Sequence, residues 1–307
     1  MNIYLDLIEA KAWKNELKNL SKMNDIYSEN VISTATKLAI KYLKLDEMHK
    51  NELKNGLKNG LGYISFSNLP VDDDLSDPPK NAARPYSKSY ISELVLLGIT
   101  HACGLNPFSY KEEKKGAFVH EIIPIDSINN NSVSSEGVIE FDFHTDGAYL
   151  PRSLRPHTLS LICLDDQEHT PTNLVNIKNV ISNLSEKIIT KLLSPNFIHT
   201  APETFNVQNK KIKSSIFDLI DGEYEIKVAL HNIEALDEEA QIALQKLKNA
   251  ISNNIIQKKW SRGDLIIFNN LKCLHGRGAI KGKRWLQRCY GTYTFPLTTV
   301  LELNKLY

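Results

Sequence analysis

The segment FDFHTDGAYLPRSLRPHTLSLICL, residues 141–164, places two strand-like runs on either side of a polar turn. Apolar and polar side chains alternate in the first run, and leucine and isoleucine are frequent in the second, which is typical of β-strands with a buried face. His144 and Asp146 stand two residues apart where the first run ends. Such a pair is either a hydrogen-bonded turn or two ligands of a metal site.

Short strand-like runs continue through most of the chain after residue 115. They are GAFVHEIIPI, GVIEFDFH, HTLSLICL, SSIFDLI, YEIKVAL, DLIIFNN and WLQRCYGTYTF, with helical patterns at 176–193 and in IEALDEEAQIALQKLKNAI. Many short strands joined by turn residues indicate a sandwich or barrel, here with helices packed outside. We therefore predict a mixed α and β fold in one domain over 1–307, with a mostly helical part at 1–110 and the core at 115–300.

The composition is that of an ordinary globular protein. Hydrophobic residues make up 42% of the chain and charged residues 24%, and the net charge is +1. A charge so close to zero gives no field that would attract nucleic acid or an anionic membrane. No apolar run approaches the roughly 18–20 residues that span a bilayer, and the N-terminus does not resemble a signal peptide. The four cysteines lie singly in apolar segments, so we expect reduced thiols in a cytoplasmic protein.

A third histidine and two arginines follow in RGDLIIFNNLKCLHGRGAIKGKRWLQRCYGTYTF, residues 262–295. His275 ends an apolar run, as His144 does. Two histidines and one carboxylate are the ligands of a facial triad, which leaves coordination positions open on Fe(II). Arg284 and Arg288 lie four residues apart on a strand-like run, so they point to the same face. A buried guanidinium requires an anion as its partner, because burying it unpaired is costly.

These motifs resemble one family in order and in spacing. FHTDGAYLPRSLRPHTLSLICL and HGRGAIKGKRWLQR are similar to the clavaminate synthase-like branch of the Fe(II)/2-oxoglutarate-dependent dioxygenases, in the taurine dioxygenase superfamily. That branch includes asparagine oxygenase and the arginine and lysine hydroxylases that act on free amino acids. The resemblance is strongest over 115–175 and 260–295. It implies a double-stranded β-helix, or jelly-roll, core with flanking helices.

The resemblance also implies roles for individual residues. His144, Asp146 and His275 match the iron ligands, and Arg284 matches the arginine that pairs with the distal carboxylate of 2-oxoglutarate. The other matches are Thr172 for a second contact to 2-oxoglutarate, Arg288 for the α-carboxylate of the substrate, and Glu121 and Ser135 for its amino group and neighbouring atoms.

The implied reaction needs Fe(II), O₂ and 2-oxoglutarate, which is decarboxylated to succinate. The expected product carries a hydroxyl group on an unactivated carbon of a free or carrier-bound L-amino acid or amino-acid derivative. The expected partner is thus a small molecule, with no nucleic acid and no membrane. Desaturation or cyclisation in natural-product biosynthesis uses the same site and stays open as an alternative.

The chain departs from the branch at three places. The carboxylate ligand is Asp146, where the branch usually has glutamate; a carboxylate in this position disfavours halogenation, which needs the position for halide. The loop between His275 and the first arginine is short, which leaves open whether Arg284 or Arg288 binds 2-oxoglutarate. The acidic residues that hold a guanidinium in arginine hydroxylases have no match in GEYEIKVALHN, so we do not expect an arginine substrate.

Two other classes of function fit parts of the pattern. A zinc hydrolase could use the same three ligands with a metal-bound water, although it would leave the paired arginines without a role. A non-catalytic jelly-roll binding protein could retain the pattern without turnover. Succinate release that depends on Fe(II) and 2-oxoglutarate separates the oxygenase from both.

Overall fold

The computed structural model describes residues 1–73, 75, 77–125 and 136–306, so Ser135 lies outside the described residues. In this part of the chain the helices are α1 (Leu7–Leu20), α2 (Glu29–Tyr42), α3 (Glu47–Lys58), α4 (Ile91–Ala102), α5 (Ile177–Ile181), α6 (Glu186–Leu193), α7 (Glu238–Ser252) and α8 (Leu303–Leu306). The first nine strands are β1 (Asn2–Tyr4), β2 (Tyr63–Ser67), β3 (Asn106–Tyr110), β4 (His120–Ile122), β5 (Phe141–His144), β6 (Thr158–Asp166), β7 (Thr172–Asn176), β8 (Phe197–Thr200) and β9 (Lys211–Ser214). The other strands are β10 (Phe217–Ile220), β11 (Glu223–Ile226), β12 (Ile233–Ala235), β13 (Ile256–Lys258), β14 (Leu265–Asn269), β15 (Cys273–Arg277), β16 (Arg284–Thr292) and β17 (Thr299–Leu301).

The N-terminal helices begin where the sequence supplies capping side chains. The Asp6 carboxylate accepts a hydrogen bond from the Ile8 N–H before α1, and the Asp46 carboxylate accepts one from the His49 N–H before α3, both at 2.8 Å. Each bond satisfies a backbone donor that has no partner inside the helix. Helix α4 is apolar and almost completely buried, because it packs between α2 and the strands β6 and β16. A Cβ on Gly98 would lie 2.8 Å from the carbonyl oxygen of Ala35, so this close crossing of α2 and α4 requires glycine.

Two sheets position the site. The larger has eight strands in the order β1-β2-β14-β6-β16-β3-β17, and β4 pairs with β16 beside that path. The smaller has four strands in the order β13-β7-β15-β5. A three-stranded sheet (β12-β8-β9) and the hairpin β10-β11 lie outside these two. The mixed α and β fold predicted from the sequence is confirmed, with helices in the N-terminal third and strands dominating after residue 105.

The strand registers place the polar residues opposite one another. His275 on β15 pairs directly with His144 on β5. Leu286, Gln287 and Arg288 on β16 pair with Ile122, Glu121 and His120 on β4, respectively. A cavity is lined by side chains from both sheets, among them the polar residues His144, Thr172, His275, Arg277, Arg284 and Arg288. Among the described helices, none has the length and apolar character needed to cross a membrane.

Candidate active site

Three buried side chains converge at one end of the cavity. His144 ends β5, Asp146 follows it in a turn completed by Gly147 at φ 71°, and His275 lies in the middle of β15. The Nε2 atoms of both histidines lie 3.4 Å from the same oxygen, Oδ1 of Asp146. Candidate ligand atoms of the three residues all lie within 4.8 Å of one another. The three residues singled out in the sequence are therefore brought together.

The protonation of this cluster suits a metal ion. His144 Nδ1 lies 2.9 Å from the carbonyl oxygen of Asp142, to which it can only donate, so in the neutral ring Nε2 carries a lone pair directed at the cluster. Burial and the neighbouring His275 lower the pKa of His144, which favours the neutral form. Burial opposes ionisation of Asp146, but the Arg288 guanidinium and the two histidines hold the pKa of this carboxyl well below its usual range. Two imidazoles and one carboxylate are a donor set that fits Fe(II).

The second oxygen of Asp146 is held from the opposite side. Oδ2 accepts hydrogen bonds from Arg288 Nη1 at 2.6 Å and from the Tyr290 hydroxyl at 3.0 Å. The backbone of Asp146 is fixed as well, because its N–H donates to Asn270 Oδ1 and its carbonyl accepts from Asn270 Nδ2, both at 2.9 Å. Together these bonds leave Oδ1 directed at the histidines.

The deep end of the cavity is cationic. Arg284 Nη2 lies 3.3 Å from Thr172 Oγ1, which also accepts a hydrogen bond from Trp260 Nε1 at 3.0 Å. The Nε of Arg284 lies 3.4 Å from Asp166, the carboxylate with which it forms an ion pair. Arg277 lines the same cavity, and burial together with the Arg284 charge lowers its pKa to about 9.

The surroundings of this end allow an anion to bind. Arg277 donates to the backbone carbonyls of Gly137, Ile139 and Gly278. The guanidinium groups of Arg284 and Arg277 both line the cavity, so a carboxylate would be attracted to this end. The walls between this end and the triad are apolar and come from Ile122, Leu159, Leu161 and Leu286.

Arg288 is in the middle of a second polar group. Its Nη2 lies 2.6 Å from Glu113 Oε1 and 2.8 Å from His120 Nδ1. His120 Nε2 lies 3.0 Å from the carbonyl of Ala117, so that nitrogen carries the proton and Nδ1 accepts from Arg288. Burial lowers the pKa of His120 to about 4, in agreement with a neutral ring. Within the part of the chain that the structure describes, two buried atoms of this group have no hydrogen-bond partner: Nε of Arg288, a donor, and Oε2 of Glu113, an acceptor.

Sequence reasoning missed Glu113 because it lies in a charged run, KEEKKG at 111–116, that is typical of a solvated loop. The structure buries its side chain, with 6% exposed. Lys114 and Lys115 follow with φ angles of 47° and 57°, in a left-handed conformation that is unfavourable for residues with a Cβ. This strained turn lets the chain reverse while the Glu113 side chain stays directed at Arg288. No local sequence signal predicts such a turn.

Glu121, predicted to contact the substrate, is not brought to the cavity. Successive residues of a strand point to opposite faces, and its neighbour His120 faces Arg288. The Glu121 carboxylate instead accepts hydrogen bonds from Trp285 Nε1 at 2.6 Å and from Gln287 Nε2 at 3.0 Å, behind the sheet. The carboxylate that lies beside Arg288 is therefore that of Glu113.

Comparisons with known proteins agree with this architecture. The family described as "Taurine catabolism dioxygenase TauD, TfdA family" matches residues 105–290. The chain is 27% identical to L-asparagine oxygenase of Streptomyces coelicolor over 247 residues, which cover 77% of this chain and 71% of that protein. It is 26% identical to an L-lysine 4-hydroxylase of a Flavobacterium species over 239 residues, covering 73% of this chain and 63% of the relative, which is less than two thirds of its length.

Solved structures show the same fold. Asparagine oxygenase in complex with Fe(II), 2S,3S-3-hydroxyasparagine and succinate superimposes with a TM-score of 0.82 at 22% identity, covering 95% of this chain and 93% of that one. The non-heme iron oxygenase OrfP with Fe, succinate and (3S)-hydroxy-L-Arg gives a TM-score of 0.82 at 19% identity, covering 98% and 99%. The family match extends over more than half of the chain and includes all three residues of the buried triad. The resemblance predicted from the sequence is thereby confirmed, and the chain belongs to the TauD/TfdA family of dioxygenases.

Proposed function

We propose that this protein is an Fe(II)- and 2-oxoglutarate-dependent oxygenase that hydroxylates a C–H bond of a free L-amino acid or a close derivative. The observation that carries the proposal is the polar group around Arg288. Nε of Arg288, a buried donor, and Oε2 of Glu113, a buried acceptor, have no partner among the described residues, and their two side chains are in direct contact. Buried polar atoms are nearly always hydrogen-bonded, so this pair of atoms suggests a ligand that supplies both partners.

An α-amino acid has the matching polarity. Its carboxylate would accept from Arg288, and its ammonium group would donate to Glu113. The Arg288 guanidinium also contacts Asp146 at 2.6 Å, so a molecule held there lies beside the triad. A carrier thioester or an amide offers Nε of Arg288 only a neutral carbonyl oxygen, which is a weaker acceptor than a carboxylate. This favours a free amino acid over a carrier-bound one.

His144, Asp146 and His275 would hold the Fe(II) ion. When bound, the iron supplies the oxidative chemistry that uses O₂ and the decarboxylation of 2-oxoglutarate to oxidise the substrate C–H bond. Arg284 would hold the distal carboxylate of 2-oxoglutarate, with the Thr172 hydroxyl beside it at 3.3 Å. The apolar walls between Arg284 and the triad would exclude water from the reacting groups.

The acidic groups of the β10-β11 hairpin support a substrate without a cationic side chain. Glu225 receives two hydrogen bonds from Arg152, at 2.6 and 2.7 Å. Asp218 is paired with Arg155 at 2.8 Å and with Lys227 at 2.5 Å. Both carboxylates already carry cationic partners from the chain itself. We therefore expect neutral side chains to be preferred over that of arginine.

The architecture supports the remaining expectations. The eight-stranded and four-stranded sheets that line the cavity are consistent with a double-stranded β-helix core, carried by one domain over 1–307. The cysteines Cys103, Cys163, Cys273 and Cys289 are all buried and unpaired with one another. Reduced thiols of this kind favour a cytoplasmic location.

The test is succinate release by the purified protein with Fe(II), 2-oxoglutarate and O₂ in the presence of each of the twenty L-amino acids. We expect at least one amino acid to stimulate succinate release and to gain 16 mass units. A product lighter by 2 mass units would indicate desaturation or ring closure instead. The His144→Ala variant is the negative control. No stimulation by any amino acid, with hydrolysis of an ester or amide supported by Zn(II) alone, would overturn the proposal in favour of a zinc hydrolase.

A further inference from the structure

Tyr290 touches the carboxylate of the triad from the side opposite the histidines. Its hydroxyl donates to Asp146 Oδ2 at 3.0 Å, while Asp146 Oδ1 lies 3.4 Å from both Nε2 atoms. The two oxygens of one carboxylate thus have separate surroundings. One faces the three-residue cluster, and the other faces hydrogen-bond donors.

We infer that Tyr290 is a positioning residue that orients Asp146 so that this carboxylate binds the metal through Oδ1 alone. A carboxylate with no donor on its second oxygen is free to rotate or to bind a metal through both oxygens. A hydrogen bond to Oδ2 fixes the orientation, as partners of metal ligands generally do. The inference concerns an interaction that no motif of the sequence revealed.

The position of Tyr290 is rigid. Its side chain is 2% exposed and packs in an aromatic group with ring centroids 5.5 Å from Tyr110 and 5.9 Å from Phe108. On β16 it points to the same face as Arg288, two residues earlier. A tyrosine confined in this way holds its hydroxyl at a fixed point, which a flexible side chain could not do.

Arg288 also donates to Asp146 Oδ2, but its guanidinium is shared. It contacts Glu113 and His120 at the same time, and by the proposed function it would bind the substrate carboxylate. Part of this argument therefore rests on the proposed function. Among the described residues, the Tyr290 hydroxyl donates to Asp146 and to no second acceptor. It is the donor that stays with the ligand while Arg288 meets the substrate.

The test compares Tyr290→Phe with Tyr110→Phe, a matched control in the same aromatic group whose hydroxyl donates to the carbonyl of Leu154 rather than to the triad. Each variant loses one oxygen atom and no charge. Both substitutions are made in an Arg288→Gln parent, so that Arg288 no longer holds Asp146 Oδ2, and the dissociation constant of Co(II) is measured by competition with a chelator, without 2-oxoglutarate or substrate. We expect Tyr290→Phe to weaken Co(II) binding by roughly 10-fold or more and Tyr110→Phe to stay within about twofold of the Arg288→Gln parent.

The visible absorption of bound Co(II) gives a second readout that folding alone does not move. When Oδ2 becomes free to reach the metal in Tyr290→Phe, the coordination number rises and the absorption weakens, whereas Tyr110→Phe keeps the spectrum of the Arg288→Gln parent. An unchanged Co(II) affinity and spectrum in Tyr290→Phe would overturn the inference and leave the proposed function intact. Loss of affinity equally in both variants would also overturn it. Failure of the wild type to bind Co(II) would count against the proposed function itself.

Discussion

The two faces of strand β16 have opposite characters, although they belong to one nine-residue element. On the front face, Arg284, Leu286 and Arg288 line the cavity. On the back face, Trp285 and Cys289 belong to the apolar cluster that contains helix α4. Side chains that face the cavity thus alternate along the strand with side chains that pack against the helices of the fold.

The two faces of this strand therefore have different roles, one in ligand binding and the other in stability. The front face places two guanidinium groups beside carboxylates and unpartnered polar atoms, which is where ligands bind. On the back face, Nε1 of Trp285 and Nε2 of Gln287 donate to Glu121, so these two donors are satisfied by the chain itself. Substitutions on the front should change binding and turnover, and those on the back should change stability.

The largest effect is expected from Asp146→Ala, which removes the one carboxylate of the triad. Residues that hydrogen-bond to a metal ligand contribute about 10- to 100-fold to metal affinity. Loss of the ligand itself should have a larger effect, so we expect turnover to fall by more than about 100-fold. Succinate release and bound iron are measured in parallel. Asp165→Ala, on β6 outside the triad, is the control. Normal iron content and turnover in Asp146→Ala would contradict the site.

Arg284→Gln should raise the KM for 2-oxoglutarate by about 10- to 100-fold, because a hydrogen bond to a charged group contributes roughly 1.5–3 kcal/mol. The KM for the amino acid should change little. Lys283→Gln is the matched control one residue away, on an exposed side chain. If the KM for the amino acid rises instead, the roles of Arg284 and Arg288 are exchanged.

On the back face, Glu121→Leu should leave both KM values within about twofold of the wild type. It should nevertheless lower the free energy of unfolding by about 2–4 kcal/mol, because two buried donors, Trp285 Nε1 and Gln287 Nε2, lose their acceptor. Urea denaturation measures the loss, and kinetics are normalised to folded protein. A rise in the KM for the amino acid without loss of stability would restore Glu121 to the substrate site.

The smallest effect is a change in how stability depends on pH. Burial, and then the charge of Glu93, raise the pKa of Glu121 above its usual value of 4.5. The folded state therefore holds this proton more tightly than the unfolded state, and stability from this group is lost as pH rises from 4.5 through the folded pKa. In Glu121→Gln this loss is absent, so its stability relative to the wild type should increase across that range. A constant difference between the two proteins would contradict the raised pKa.

Much of the front face was predictable from sequence. His144, Asp146 and His275 are recognisable because they lie in short motifs whose order along the chain can be read directly from the sequence. The even numbering of Arg284 and Arg288 predicts that they share a face of their strand. The same parity extends to Tyr290 and could have revealed it. The position of the Glu121 side chain depends on the register between β4 and β16, and the position of the Glu113 side chain depends on a strained turn. Both are set by pairing and packing between distant segments, which local patterns do not encode.

The most direct measurement compares the best amino-acid substrate with two blocked forms, its methyl ester and its N-acetyl derivative. We expect succinate release and a gain of 16 mass units with the free amino acid, and a KM at least about 10-fold higher for each blocked form, since each loses one charged partner of Arg288 or Glu113. Equal KM values for the free and blocked forms would contradict the pairing of an α-carboxylate with Arg288 and an ammonium group with Glu113.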